Sequence, residues 1–388
     1  MLMKILVVHF NDVIAYPPVI NLVECLLNNK CSVVLISYNI HLLPDIIKEH
    51  NNFEGYELKS YNTDNIFLSV LQKINLKNKV KKIIKKEMRS ADIIWTTTDF
   101  TVRWLGNILL QYKHVMQLME LIEFYPWYQR LPKWISIKFP IEKYAQRAWK
   151  VVVPEMNRAY IQKTWWDLKD IPVVLPNKTY KMSVEEYKVP KDFYDKLMKI
   201  KNETRKVILY SGILWYDRDF ASIAKSVKSL GDEYVFYIIG KVPNAYKEEF
   251  ELLLSENDNI VYLGYVNAPN HLLIYKYAYI GLLPYKAGRV SGYKTHISDL
   301  NALYCAPNKI FEYAGMGLPM IGSDVLGLKN AFEKYDIGVC CKDVSEKCFC
   351  NAVREIEANY EIMSKNCKMF FNSVDLDSII KGIIEDKH

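Results

Sequence analysis

The feature that most narrows what this chain can fold into is the unit laid out by its first forty residues. Lys4 to His9 (KILVVH) is a short β-rich apolar run; past the loop Phe10–Tyr16, Val19, Leu22, Val23 and Leu26 recur at the i, i+3, i+4, i+7 spacing of a helix face. Pro17 and Pro18 suit the first turn of that helix, where the missing N–H groups would be unpaired anyway. Ser32 to Ser37 (SVVLIS) returns as a strand. Strand, helix and strand in close succession form a βαβ crossover, and near-continuous apolar strands imply a parallel sheet covered on both faces. Strand-like runs follow at Asp92–Thr96, Val115–Leu118, Val151–Val153 and Val173–Leu175. The rhythm resumes at Val207–Ser211. There Phe220, Ile223, Ala224 and Val227 make a helix stripe that Gly231 can end, followed by strands at Tyr234–Ile239, Ile260–Leu263 and Ile280–Leu283 and a helix over Asn244–Glu256. The expected fold class is α/β, with two doubly wound parallel sheets facing across a cleft. Pro172 to Arg205, rich in charge and poor in apolar periodicity, contains the boundary, which puts the domains at 1–185 and 186–370.

With 388 residues the chain is long enough for two buried cores, and half its residues are apolar and a quarter charged, which excludes a disordered or collagen-like polymer. No apolar run approaches the ~18–20 residues of a membrane span, and Met1 to Lys4 leads straight into a strand rather than a signal peptide, so a cytoplasmic protein is expected. The eight cysteines form no C-x-x-C pairs and read as reduced, mostly buried thiols. The net charge of +7 is uneven: residues 1–180 hold 24 Lys and Arg against 16 Asp and Glu, the remainder 27 against 28. Much of the excess lies in Lys73–Arg89, where Lys77, Lys79, Lys81, Lys82, Lys85, Lys86 and Arg89 flank Val80, Ile83, Ile84 and Met88. That pattern is a basic amphipathic helix, suited either to an anionic lipid surface or simply to water. No recognition motif accompanies it, so nucleic acid is not an expected partner.

Doubly wound sheets bind ligands beyond the carboxyl ends of their strands, where the strand order reverses. The first turn of the N-terminal half, His9 to Tyr16, contains no glycine, whereas the equivalent turn of the second half opens with Gly212 and carries Arg218. A diphosphate therefore belongs to the second half. The most informative stretch is Ala306–Gly322 (APNKIFEYAGMGLPMIG). Pro307 can occupy the first turn of a helix, Gly317 can end it, Pro319 bars its continuation, and Met320-Ile321 resumes a strand. Lys309 adds a full positive charge in a first turn where the dipole disfavours one, which argues for a bound phosphate. Glu312, three residues on and on the same face, can accept paired hydrogen bonds from two sugar hydroxyls. An ordinary surface Lys–Glu pair has the same spacing.

The run Pro307-Asn308-Lys309-x-x-Glu312-Tyr313-Ala314-x-x-Gly317-x-Pro319-x-Ile321 resembles the nucleotide-sugar-binding segment of GT-B fold glycosyltransferases, especially glycosyltransferase family 4 (glycosyl transferases group 1). Ser211-Gly212 with Arg218, Ile239-Gly240, Val261 to Val266, Leu283-Pro284-Tyr285 and the Ser323–Gly327 loop fall in the order that family shows. Val152 to Glu155 with Asn157-Arg158-Ala159, and Val174 to Asn177, resemble it in the first half. The resemblance implies two Rossmann-like domains, the first binding acceptor and the second binding nucleotide sugar, with a segment 371–388 that crosses back to the first domain. By it Glu312 would hold the ribose, and Lys309 and Arg218 the diphosphate. Gly212 and the loop containing Ser323 and Asp324 would meet the phosphates through backbone N–H groups beside Asn308, and Tyr265 and Val266 would line the base. Two positions depart from the pattern: Tyr304 stands where many members carry a second glutamate, and Met119 where a histidine is often found.

Transfer requires the departing nucleoside diphosphate to be neutralised, a task for Lys309 and Arg218, so no metal or other cofactor is expected. An inverting enzyme also needs a base on the acceptor side; Glu120 is the candidate, with Asp12 and Glu123 in reserve, and a helix-start carboxylate the plainer reading. A retaining reaction manages without one and is the expected outcome. Tyr285–Ala306, with Gly288, Arg289, Gly292 and Lys294, reads as a loop ordering over the donor or as a solvated segment. Tyr125–Trp134, aromatic and basic together, suits sugar stacking, a membrane interface or plain core packing. The expected function is transfer of a sugar from a nucleotide diphosphate sugar to a glycan or lipid-linked acceptor, in cell-surface polysaccharide assembly and peripherally on the inner face of the cell membrane. A nucleotide-sugar epimerase, or a non-catalytic binding protein for nucleotide sugars or glycans, is the alternative.

Overall fold

A computed structural model describes residues 2–59, 66–123, 125, 137–180, 191–286, 299–343 and 345–386. The chain divides into two compact units, one of residues 1–176 with 375–388 and the other mainly of 177–295 and 299–374. Tyr125 is buried, whereas Trp127 to Trp134 and the glycines and cations at 288–294 lie outside the described residues.

In the first unit seven strands alternate with helices: β1 (Lys4–Asp12), β2 (Ser32–Tyr38), β3 (Phe53–Leu58), β4 (Ile93–Thr96), β5 (His114–Gln117), β6 (Lys150–Val153) and β7 (Val173–Val174). All neighbours pair in parallel in the order β3-β2-β1-β4-β5-β6-β7. Ile5 to Val8 are fully buried, as a strand covered on both faces must be. The helix Pro17–Asn28 turns Val19, Leu22, Val23 and Leu26 inward, the stripe its spacing predicts, and its prolines stand at the first two helical positions. The basic stretch is helical as part of Ile66–Glu87: Val80 and Ile84 are buried, while Lys73, Lys79, Lys82, Lys85 and Lys86 are exposed. Glu87 is buried on its inner side, where Lys4 Nζ at 2.9 Å, Tyr56 Oη at 2.7 Å and Lys86 hold its carboxyl near 2 against the opposing effect of burial. No helix among the described residues is long and apolar enough to cross a membrane.

The second unit holds β8 (Lys206–Ser211), β9 (Tyr234–Ile239), β10 (Ile260–Tyr262), β11 (Ile280–Leu283), β12 (Met320–Ser323) and β13 (Gly338–Cys341), again all parallel, in the order β10-β9-β8-β11-β12-β13. Two aromatic-rich apolar cores cover its faces, one with Tyr237, Tyr275 and Tyr313, the other with Tyr210, Phe220, Phe236 and Phe250. The helix Tyr360–Asn372 packs on the helix Asn308–Met316, with Phe311 and Phe370 stacked at 5.0 Å. The last helix, Leu376–Ile384, belongs to the first unit, where Cys25 Sγ lies 3.1 Å from Asp377 and Lys150 pairs with Asp386 at 2.5 Å.

Candidate functional site

The strand order of the second unit reverses between β8 and β11, so the carboxyl ends of those strands, Ser211-Gly212 and Pro284-Tyr285, flank the switch point where such sheets bind ligands. Gly212 has φ +140° and Gly240, at the end of β9, φ +152°, conformations that favour glycine. Gly212 N–H donates to the Ile239 carbonyl at 2.9 Å, and a Cβ on Gly240 would fall inside the Gly212 carbonyl. The sheet edge here is bare backbone, the condition for close approach of a phosphate.

The helix Asn308–Met316 delivers two charged side chains to this edge. Pro307 is its N-cap, extended at φ −72° and ψ 139° with no side-chain cap, rather than a first-turn residue; Gly317 ends it at φ +72° as its position predicts. A Cβ on Gly212 would lie 2.8 Å from Lys309 Nζ, so the ammonium fills the space a side chain there would take. Lys309 also lies over the Tyr210 ring at 5.7 Å. Burial, with repulsion from Arg218, pulls its pKa down to about 8. Arg218, on the turn Tyr216–Arg218, donates from Nε to Tyr210 Oη at 3.1 Å, pairs with Asp217 and lies 4.5 Å over the Tyr285 ring. Tyr285 N–H in turn donates to Ser323 Oγ at 2.9 Å, tying β11 to the end of β12. Gly212, Arg218, Lys309 and Ser323 are thus gathered around one edge, an arrangement that attracts and orients an anion.

Glu312 is 4% exposed, which removes the surface-pair alternative. Its Oε2 accepts from Tyr275 Oη at 3.2 Å and lies 3.3 Å from His271 Nε2. Burial works against its charge, yet His271, Lys309 and Tyr275 hold the carboxyl below its ordinary range. Asn308 opens the helix. Asp324 is engaged with Lys329 at 3.2 Å, and its N–H with the Cys341 carbonyl at 2.8 Å. Tyr265 is exposed beyond β10, its carbonyl held by Lys196 Nζ at 2.9 Å, while Val266 packs against the apolar core. Tyr304 is half-buried just before Cys305.

The acceptor-side candidates lie in the first unit. Glu120 is exposed beyond β5, and its charge, with that of Asp99, adds to burial in raising the Tyr16 phenol. Asp12 is committed to capping, accepting from Ile14 N–H at 3.1 Å, and Glu123 is exposed. The Met119 carbonyl accepts from Arg158 Nη1 at 2.7 Å. Sequence reasoning passed over His9, which sits at the carboxyl end of β1 with Tyr16 edge-on at 4.6 Å. It also passed over His271, Tyr275 and Asp217 in the second unit. His271 and Tyr275, four residues apart and so on one helix face, left a spacing signal but no periodic pattern around it.

Residues 205–359 match the family model described as Glycosyl transferases group 1. No curated protein matches the chain. Among solved structures, Anabaena HepE in complex with UDP and glucose superposes with a TM-score of 0.67 at 11% identity, over 99% of this chain and 98% of that one. Sucrose-phosphate synthase from Thermosynechococcus elongatus gives 0.65 at 15% identity, over 99% and 98%. UDP-GlcNAc 2-epimerase from Neisseria meningitidis bound to UDP-GlcNAc gives 0.58 at 13%, over 99% of both. The second unit carries a glycosyl transferases group 1 domain, and the two parallel-sheet α/β units have the fold of GT-B glycosyltransferases.

Proposed function

We propose that the protein is a glycosyltransferase that moves a sugar from a nucleotide diphosphate sugar to a glycan or lipid-linked acceptor. The observation that carries this reading is Lys309 standing over Gly212 at the switch point, inside the segment matching the family model. Lys309 and Arg218 hold the diphosphate, and the bare backbone of Gly212 lets it approach. The first-turn N–H of Asn308 and the Ser323 hydroxyl offer it hydrogens, while the N–H groups of Gly212 and Asp324 stay with the Ile239 and Cys341 carbonyls. Glu312 takes the ribose, and Tyr265 and Val266 border the base. As the bond from the sugar's anomeric carbon to the diphosphate breaks, Lys309 and Arg218 neutralise the growing charge. The acceptor oxygen bonds to that carbon. In the retaining course its proton passes to the departing diphosphate oxygen, so no side-chain base is required; Glu120 is the base if the product proves inverted.

UDP is the first nucleotide to try, because HepE is described in complex with UDP and glucose. Acceptor-dependent release of nucleoside diphosphate is expected, undiminished by a chelator because Lys309 and Arg218 supply the positive charge. A proton NMR spectrum of the product gives the anomeric outcome. An epimerase is the second reading, favoured by the likeness to the Neisseria enzyme; interconversion of donor sugars without acceptor would establish it. Saturable donor binding without turnover would instead identify a binding protein.

The helix Ile66–Glu87, with Leu71 42% and Ile74 50% exposed beside its lysines, supports peripheral attachment to an anionic membrane, the inner face of the cell membrane in polysaccharide assembly. Replacing Lys81, Lys82, Lys85 and Lys86 by glutamine should abolish sedimentation with phosphatidylglycerol vesicles; undiminished sedimentation would refute the attachment.

A further inference from the structure

We infer that His271 is a positioning residue for Glu312 and thereby sets the preference of this site for a ribonucleotide over a deoxyribonucleotide. The inference rests on the reading of Glu312 as the ribose ligand and adds the residue that makes that ligand selective.

His271 and Tyr275 lie one turn apart on the short helix His271–Tyr275, with ring centroids 5.3 Å apart at 83°. Both reach across to the same atom of the Asn308 helix, Glu312 Oε2, at 3.3 and 3.2 Å. An ionised carboxylate only accepts hydrogen bonds, and the Tyr275 phenol, raised well above its ordinary value by burial and by Glu312, keeps its proton. Both partners are therefore donors, which assigns a hydrogen to His271 Nε2. Two donors on Oε2 leave Oε1 with about two lone-pair directions, the number a vicinal diol requires.

The rest of the imidazole does nothing comparable. Its side chain is 12% exposed, and Nδ1 is buried without a hydrogen-bond partner among the described residues. A buried orphan nitrogen is unfavourable, so the ring is held where it is for its other nitrogen. Tyr275 by itself would leave the carboxylate free to rotate about the Oε2 contact. The second donor fixes the plane of the carboxylate and with it the direction in which Oε1 is presented. Without His271, Glu312 still carries charge beside Lys309 but loses its aim, and a charge without aim cannot count hydroxyls.

The test is the affinity of the full chain for UDP, GDP and ADP against their 2′-deoxy forms, by titration calorimetry. For the best-bound base, the wild-type protein should prefer the ribose form by roughly tenfold or more, as befits a hydrogen bond to a charged group. His271→Ala should bring that ratio to within about twofold while the deoxy form binds nearly as before, and His271→Gln, which keeps an N–H of similar reach, should restore part of it. A ratio unchanged in His271→Ala but lost in Glu312→Gln would overturn the role of His271 and leave the ribose reading intact. No ribose preference in wild type, or one that survives Glu312→Gln, would overturn both. Should His271→Ala fail to fold by circular dichroism, His271→Phe keeps the ring and carries the same expectation, and an undiminished ratio in it is equally decisive against the inference.

Discussion

The two units reverse strand order at the same topological position and equip it in opposite ways. In the second, β8 ends in Gly212 with the ammonium of Lys309 above it and the guanidinium of Arg218 beside it. In the first, β1 runs on to Asp12, whose carboxylate caps the next turn, and the group at its edge is a histidine held neutral. His9 is fully buried, which pushes its pKa down to about 3, and its Nδ1 meets Thr97 Oγ1 at 2.8 Å. Thr97 Oγ1 also lies 3.4 Å from the Val8 carbonyl. One edge is cationic with bare backbone; the other sets a neutral buried histidine beside the carboxylate of Asp12. The shared fold supplies the place, and a handful of side chains decide the charge and the covering found there.

The sharpest way to break this contrast is to put a side chain where bare backbone is needed. Gly240→Ala places a methyl on the Gly212 carbonyl at a positive φ, and should destabilise the second unit by more than ~4 kcal/mol, the size of loss reserved for a named steric conflict. Chemical denaturation followed by near-ultraviolet circular dichroism reads this directly; an unaltered midpoint would mean the two strand ends are not locked together. Next in size is the charge itself. Lys309→Ala should weaken nucleoside diphosphate binding about 100-fold, as removal of a preorganised charged donor does, whereas His9→Phe should leave it within about twofold. Equal losses in the two variants would erase the distinction between the edges.

What the sequence reveals of this arrangement divides along physical lines. Central strands such as Lys4–His9 and Tyr234–Ile239 are legible because burial on both faces forces apolar residues at every position. The edge strands Phe53–Leu58 and Gly338–Cys341 are not legible: the first carries Glu54 and Glu57 on opposite faces and buries only Leu58, and the second is short and opens with glycine. Lys309 and Glu312 are legible because both sit on one helix at a spacing with a chemical meaning. His271 and Tyr275 are not, since what gives them a role is a contact with Glu312 about forty residues away, made by tertiary packing alone. Gly240 is visible as a residue but not as a constraint, because its conflict is with the Gly212 carbonyl on a neighbouring strand.

The smallest expected effect is the pH dependence, which has the same sign at the two edges but falls in different pH windows. Lys309 titrates near 8 in the folded protein against 10.5 as its ordinary value, so between those limits the unfolded chain binds more protons and stability rises with pH through that interval. Donor affinity falls over the same interval, because the ammonium that should meet the diphosphate is losing its charge. An anion bound at Lys309 raises its pKa again, so binding above pH 8 must draw a proton from solution. Calorimetry in two buffers of different ionisation enthalpy should therefore give different apparent enthalpies at pH 8.5, and Lys309→Arg should give the same enthalpy in both. At the other edge His9, neutral down to about 3 against an ordinary 6.5, contributes stability that is present above 6.5 and lost as pH falls toward 3. His114, buried at the start of β5 with Nε2 2.8 Å from Thr96 Oγ1, follows the same course. His9→Phe should make the acid limb shallower, leaving the part due to His114, without touching the proton uptake at alkaline pH. If the proton drawn at pH 8.5 survives Lys309→Arg, another group near the phosphate site titrates there, and the charge contrast between the edges has been assigned to the wrong lysine.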